Sequence, residues 1–247
     1  MNTPDVSVIM PVYNIYSYPD GWVERAVSSV LENQACNVEL CIGDDASTDK
    51  TQTALKKMAE LNPEKIKVAY SYKNTGGAGN CNLAAEMATG KYFILLSCRS
   101  WYEPGSLAVM AHYLDQHPEI GFVYGNTFFH DGKYSRLKIP AAFSPEAFKH
   151  SFISSFGYMW RRDAWDAGSR YGCTVYIPQA KRHMTIADRD MVMSLIFDHN
   201  YAGKWLNLLA LNYARGGVAQ MNDLLMEHRK LMLDEFRRKW AHVLGGA

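Results

Sequence analysis

Four short segments carry most of the residue types that could do chemistry. They are Pro11-Val12-Tyr13-Asn14, the acidic pair Asp44-Asp45, the run from Asn74 through Gly76 to Gly79, and Ser97-Cys98-Arg99-Ser100. Each directly follows an apolar run that reads as a strand, and open α/β sheets bind ligands in the crevice at the carboxyl ends of their strands. All four can therefore face one pocket. A carboxylate just past a strand end suits hydrogen bonding to ribose hydroxyls or to a base edge. The structural alternative is that the acidic stretch caps the next helix, because Ser47, Thr48 and Asp49 are all good caps. Ligand contact is the expectation for Asp44 and Asp45, capping for Ser47 and Asp49.

Gly76, Gly77 and Gly79 invite a dinucleotide reading, since the loop follows a strand and opens a helix. The spacing fails: counted from Gly77, the third glycine position is Asn82, and the loop follows the third strand, not the first. A tight turn or a close backbone approach is what remains. Cys98 has no histidine near it in sequence, so it is expected to be an inert small residue and not a nucleophile.

The elements that must position these loops follow from periodicity. Residues 6–10 read as a buried strand stopped by Pro11, residues 22–33 as an amphipathic helix, residues 38–42 as a second strand and residues 51–61 as a helix. Residues 67–71 are a third strand, 77–88 a helix and 92–96 a fourth strand. Short apolar strands alternating with helices indicate βαβ units in a mostly parallel sheet, flanked by helices within a single domain. After residue 120 the pattern changes: a strand at 121–124, a hairpin turn at Asp131-Gly132, an irregular stretch over 140–185, a helix at 188–199 and a strand at 204–213. The tail, residues 222–244, is expected to be helical with Leu225, Met232, Phe236, Trp240 and Val243 on one face.

Bulk composition narrows the function. With 247 residues, 48% of them hydrophobic, the chain can bury a sizeable core. The 26 Lys and Arg nearly cancel the 25 Asp and Glu, so nucleic-acid binding is not the main work and an anionic ligand must be held by local groups. Five cysteines, an odd number without a C-x-x-C pair, favour reduced thiols in the cytoplasm. Residues 1–5 are polar and no apolar run approaches a membrane span, so a soluble protein without a leader is expected.

The order of the motifs resembles family 2 glycosyltransferases. Val8-Ile-Met-Pro-Val-Tyr-Asn14, Cys41-Ile-Gly-Asp-Asp-Ala-Ser-Thr-Asp-Lys-Thr51 and Asn74-Thr-Gly-Gly-Ala-Gly-Asn-Cys-Asn82 are similar to that family's V-I-x-P-x-Y-N, V-D-D-x-S-x-D-x-T and N-x-G-x-x-x-A-R-N. The likeness continues at Gly90–Leu96, Glu103–Leu107, Phe156–Arg162, Ala187–Asp190 and Asn212–Gly217. It covers about residues 5–217. The resemblance implies a GT-A fold, a Rossmann-like nucleotide-diphospho-sugar transferase domain over residues 1–220. Residues 1–120 would form the nucleotide-sugar half, 121–220 the acceptor half, and 221–247 a C-terminal helix. It also implies inverting transfer from a nucleoside diphosphate sugar to a hydroxyl on a glycan, a lipid-linked sugar or another acceptor. Pro11, Val12, Tyr13 and Asn14 with Asp44 or Asp45 would hold base and ribose, and Asn74, Gly76, Ser97, Cys98 and Arg99 would line the rest of the donor site. Asp188 inherits the place of the family's general base, which must take a proton from a weakly nucleophilic hydroxyl. Capping its own helix is the alternative role.

The departures are as informative. Where the family has Asp-x-Asp-Asp, holding Mn²⁺ or Mg²⁺ against the diphosphate, this chain has Ser97-Cys98-Arg99-Ser100. A hard cation needs charged oxygen ligands, so no metal site is expected. Three accounts stand open: Arg99 replaces the metal with bidentate bonds to diphosphate oxygens; the protein has lost catalysis and only binds a nucleotide sugar or glycan; or another residue does this work. The family's third-motif arginine is Cys81 here, which weakens the inference of a uracil base, and Arg215 stands where a histidine is common. Arg215, His183 and Trp101 are candidates for diphosphate or acceptor contact, each with an ordinary surface or turn position as its alternative. Arg229, Lys230, Arg237, Arg238 and Lys239 could touch an anionic membrane, or the tail could cover the sheet or pair two subunits in a homodimer. A nucleotidyltransferase is set aside because residues 11–15 lack the Gly-rich, Arg/Lys-bearing loop that class needs.

Overall fold

The computed structural model describes residues 3–17, 21–33, 35–130, 135–150, 157–177, 182–214, 231 and 233–245. The first half alternates as the periodicity requires: β1 (Val6–Val12), α1 (Trp22–Leu31), β2 (Val38–Asp44), α2 (Thr51–Leu61), β3 (Ile66–Tyr70), α3 (Gly76–Ala85) and β4 (Tyr92–Leu95). The chain continues through β5 (Ser100–Tyr102), α4 (Ser106–Gln116), β6 (Ile120–His130), β7 (Arg136–Lys138), α5 (Pro145–His150), β8 (Tyr158–Arg161), α6 (Asp163–Asp166), β9 (Thr174–Ile177), β10 (Arg182–Thr185), α7 (Ala187–Phe197) and β11 (Ala202–Ala214).

The main sheet has the order β3-β2-β1-β4-β8-β6-β11-β5, with β7 on β6, while β9 and β10 form a separate antiparallel ribbon. Pairs β3-β2, β2-β1, β1-β4 and β6-β11 are parallel. Pairs β4-β8, β8-β6, β11-β5 and β6-β7 are antiparallel, so the parallel expectation describes the first half while the whole sheet is mixed. Because β8 is antiparallel to both its neighbours, β6 and β11 run in the same direction as β1 to β4. All of their carboxyl ends share one edge.

Side-chain alternation sorts the apolar runs into two cores. Val8, Met10, Leu40 and Ile42 meet α1, α2 and α4, whereas Ile9, Cys41 and Phe93 meet α3 and α7. A strand covered by helices on both faces is apolar nearly throughout, and the buried polar residues inside β1 and β2, Ser7 and Glu39, hydrogen-bond each other (2.6 Å).

Three expectations are corrected. β1 does not stop at Pro11 but runs on to Val12, in register with Asp44. Ile9 O accepts the Leu96 amide on the β4 side and Val12 O accepts the Asp45 amide on the β2 side. By parity Pro11 faces the β4 side, where pairing has already ended at Ile9–Leu95, so its missing N–H costs no ladder bond. The stretch 140–185 is not irregular: it supplies β8, inserted in the middle of the sheet. Trp160 lies opposite both Phe93 and Phe122, and the Phe93 and Trp160 rings meet edge-on at 5.1 Å. Such a pair contributes ~1 kcal/mol beyond its burial. Finally, β6 extends to His130; it pairs with β7 across the expected hairpin, whose turn at 131–132 lies outside the described residues.

In the tail, residues 233–239 and Ala241–Leu244 are helical with a turn at Trp240. Phe236 and Trp240 are buried against Cys173 and Met193, as an apolar face requires, while Leu225 and Met232 lie outside the described residues.

Candidate functional site

The crevice edge is held together by polar groups that satisfy one another. Asn14, at φ 49°, donates its amide to Ser47 Oγ (2.9 Å) and accepts the Thr48 amide on Oδ1 (2.8 Å), stapling the β1 loop to the β2 loop. Asp49 accepts the amides of Thr51 (2.9 Å) and Tyr16 (3.3 Å), so it covers the start of α2 as expected. Ser47 does not cap: its Oγ serves Asn14 instead.

The acidic pair divides its labour. Asp45 accepts the Thr75 amide (2.6 Å), the Thr75 hydroxyl (2.9 Å) and the Gly76 amide (2.9 Å), so both its oxygens are spent on the start of α3. Gly76 needs its φ of +79° to present that amide, and a Cβ on Gly79 would lie 2.6 Å from Thr75 Oγ1. Gly76 thus turns the chain into α3, and Gly79 within the helix allows a close approach to Thr75. Asp44 is also fully buried, yet only Oδ2 is engaged, by Gln52 (2.8 Å) and the Ser47 amide (3.2 Å); Oδ1 has no partner. A buried carboxylate oxygen left without a donor is costly unless a ligand supplies one. Tyr13, 43% exposed, follows Val12, which is in register with Asp44, and Asn74 donates to Asp45 O (3.2 Å).

Beyond β4 the chain turns sharply, with the Ser100 amide donating to Ser97 O (2.9 Å). Cys98 is buried, and its thiol, pushed up to about 12 by that burial, donates to Pro11 O (3.6 Å). It is an inert wall. Arg99 sits over the Tyr213 ring, 5.2 Å from its centroid, and among the described residues no carboxylate pairs with its guanidinium.

The cleft that results has a volume of about 190 Å³ and is lined by Pro11, Ser97, Cys98 and Arg99 together with Gly77, Cys81, Ala187 and Asp188. Asp188 lies in the first turn of α7. Among the described residues its carboxylate accepts its neighbour's amide, Arg189 N (3.0 Å), and burial pushes its carboxyl up to about 7. Behind it lies a smaller aromatic pocket walled by Tyr158, Trp160 and Tyr171. A carboxylate whose proton affinity is raised to near neutral, facing a cleft, is poised to accept a proton. Asp190, two residues on, is not a second candidate. It accepts the Trp240 indole N–H (2.8 Å), the Cys173 thiol (3.2 Å) and the Lys239 ammonium (2.7 Å), all away from the cleft.

The remaining sequence candidates are scattered. Trp101 does not reach this cleft: its ring is covered by Arg25 at 3.8 Å and by His130 at 4.8 Å, and it lines a separate groove beside α1. His183 lies on β10 with its side chain outside the described residues, as are Arg215, Arg229 and Lys230. Of the other basic tail residues, Arg237 pairs with Asp234, Arg238 with Glu235, and Lys239 turns inward to Asp190. Sequence reasoning missed Tyr171 altogether. Its only signal was aromatic content in a stretch with no period to place it.

The donor set at residues 97–100, two hydroxyls, a neutral thiol and a guanidinium, does not fit a hard divalent cation. Among the described residues no group of three His, Cys, Asp or Glu is arranged to hold one. No described helix is long and apolar enough to cross a membrane, and all five cysteines are free thiols.

Comparison with known proteins bears on the family and the fold. A family model described as Glycosyl transferase family 2 matches residues 7–178. An uncharacterized glycosyltransferase of Haemophilus influenzae is 28% identical over 139 residues, 56% of this chain and 53% of that protein. The minor teichoic acid biosynthesis protein GgaB of Bacillus subtilis is 28% identical over 142 residues, 57% of this chain and 15% of its own. Among solved structures, S. aureus TarS 1-349 in complex with UDP-GlcNAc superposes with a TM-score of 0.67 at 16% identity, over 94% of this chain and 66% of that one. The mannosyltransferase PcManGT of Pyrobaculum calidifontis, in complex with GDP-Man and Mn²⁺, gives 0.66 at 17% identity, over 98% and 65%. This chain therefore spans only part of the proteins it resembles.

Proposed function

The chain belongs to glycosyl transferase family 2 and has the GT-A fold, and on that premise we propose that it transfers a sugar from a nucleoside diphosphate sugar to a hydroxyl acceptor, with inversion and without a divalent ion. The observation that carries this reading is that Arg99 and Asp188 line one cleft. An inverting displacement needs a base on one side of the anomeric carbon and charge neutralisation on the other, where the diphosphate departs.

Each residue then has a role set by its surroundings. Asp44 Oδ1 takes a donor from the base or ribose, and Tyr13 offers an exposed ring at the same end of the crevice. Arg99, without a carboxylate partner among the described residues, pairs with diphosphate oxygens, and its planar fork takes the place of a metal. Asp188 holds its proton affinity near neutral in a water-poor site and deprotonates the acceptor as the bond forms. Asp45, Asn14 and Gly76 act one step back by fixing the loops.

The test is a donor screen across nucleotide sugars, with Mn²⁺ and with EDTA, on the protein as purified. Turnover that survives EDTA and falls ~100-fold or more in Arg99→Ala, with weaker nucleoside diphosphate binding and partial recovery in Arg99→Lys, supports the reading. Full dependence on a divalent ion overturns the metal-free part. No turnover with any donor, alongside retained nucleotide-sugar binding, replaces transfer with a binding role.

A further inference from the structure

Ile186 occupies the capping position of α7 and supplies no side-chain hydrogen bond to its first turn. A helix end left in that state lacks one of the usual constraints on its direction. What holds this one comes from the other end of the chain. Asp190 is fully buried; its Oδ1 accepts the Trp240 indole N–H (2.8 Å) and the Cys173 thiol (3.2 Å), and its Oδ2 accepts the Lys239 ammonium (2.7 Å). A Cβ on Gly172 would lie 2.6 Å from that Oδ2, so backbone closes over the carboxylate as well. One residue before Asp190, the Arg189 guanidinium lies over the Phe236 ring, 4.4 Å from its centroid. Phe236 and Trp240 are buried with Cys173 and Met193, and Ile186 packs against the same cluster. The tail thus grips the start of α7 at Ile186, Arg189 and Asp190.

Asp188 belongs to the same turn but not to the same face. At 3.6 residues per turn, Asp188 and Asp190 project about 200° apart around the helix axis, so the grip acts on the side away from the cleft that Asp188 lines. A buried carboxylate keeps its place only while its donors stay. Without Lys239 or Trp240, Asp190 is left charged in a closed site, and turning towards water is the relief open to it. A rotation of that turn carries Asp188 with it. A general base has to lie within hydrogen-bond reach of the proton it takes, so a small rotation lowers rate before it weakens donor binding, which rests on the loops after β1, β2 and β4. We propose that Lys239 and Trp240, acting through Asp190, are positioning residues that hold Asp188 towards the cleft; it rests on the reading of Asp188 as the base of a sugar transfer.

Trp240→Phe keeps a buried ring and deletes the N–H, and Lys239→Met deletes the charge. The Lys239 side chain is 42% exposed, so its variant should fold even if Trp240→Phe does not. Measured well below the melting temperature and per folded molecule, each should lower kcat about tenfold with the donor KM within about threefold. Lys239→Arg restores a cation and should recover most of the loss, while Arg238→Ala, on the exposed side of the same helix, should leave kcat unchanged. A loosened turn hydrates Asp188, so its carboxyl should fall from about 7 towards the ordinary carboxylate range and carry the acid limb of kcat/KM to lower pH. The ionisable groups around Asp188, which are Arg189 on its own helix, Cys81 on α3, Arg99 in the cleft and the phenols Tyr158 and Tyr171, are untouched by these substitutions. A tail that only stabilises the fold would lower the melting temperature and leave that limb in place. NMR titration of the Asp188 carboxyl carbon, in aspartate-labelled protein with Asp188→Asn for assignment, reads the same change without substrate. A fall in either variant together with the loss of kcat supports the proposal; an unchanged titration, or a shifted one with native kcat, overturns it while transfer itself stands. If the native protein turns over no donor and the titration still shifts, the transfer reading fails and the hold of the tail on Asp188 remains.

Discussion

The loops at the ends of β1 and β2 and the turn that opens α7 both carry aspartates, yet they are built on opposite principles. In the first region nearly every polar group is answered from within: Asn14 by Thr48, Asp49 by Thr51, and Asp45 by Thr75 and Gly76. In the second, the partners of Asp188 among the described residues are backbone amides of its own first turn, and it sits against aromatic walls with its proton affinity raised. Satisfied groups set geometry; unsatisfied ones wait for a ligand or a proton. The acidic pair condenses this contrast into two neighbours, because Asp45 has no oxygen to spare and Asp44 has one.

The largest expected effect is at Asp188. Asp188→Asn should lower turnover by ~10²–10⁴-fold with little change in nucleotide-sugar affinity, read from steady-state kinetics and titration of the donor. Turnover close to native would reduce Asp188 to a helix cap. In the native protein the acidic limb of kcat/KM should titrate near pH 7, since the base must be ionised to work. Stability should move the other way. The folded carboxyl is raised above its unfolded value, so the contribution it makes is complete below about pH 4 and is lost as pH rises through about 7. Asp188→Asn should flatten that slope in melts recorded from pH 4 to pH 9, becoming the more stable form at the alkaline end.

The acidic pair gives a smaller and more selective contrast. Asp45→Ala strips three hydrogen bonds from the start of α3 and should cost about 2–4 kcal/mol in denaturant melts. Asp44→Ala should cost about half of that and instead weaken nucleotide-sugar binding by about tenfold. If the two variants lost stability and affinity in the same proportion, the division between frame and ligand contact would fail.

Cys98 should yield the smallest effect. Its buried, protonated thiol packs against Pro11, so Cys98→Ser should hold kcat/KM within about threefold and melt within ~1 kcal/mol of the native protein. A greater than tenfold loss of activity would bring the thiol into the mechanism.

What could be read from the chain alone was whatever a short stretch decides by itself. The strand–helix alternation up to β4 follows from continuous apolar runs and amphipathic spacing, and Thr51–Leu61 starts and stops where its local pattern says. The resemblance singled out Asp188 and Arg99 from the motifs beside them, and both line the same cleft. Tertiary structure alone decided which polar groups were already taken, since that depends on partners distant in sequence: Thr75 lies 30 residues from Asp45, and Trp240 lies 50 from Asp190. It also decided that Pro11 could stay inside a strand, because β4 ends before reaching its imino nitrogen. β8 escaped notice because four residues are too few to show a period, and only Phe93 and Phe122 on either side make Tyr158–Arg161 a strand. The pocket behind Asp188 is assembled from β4, β8, α7 and the segment before β9, and no local stretch of sequence contains enough of it to reveal it.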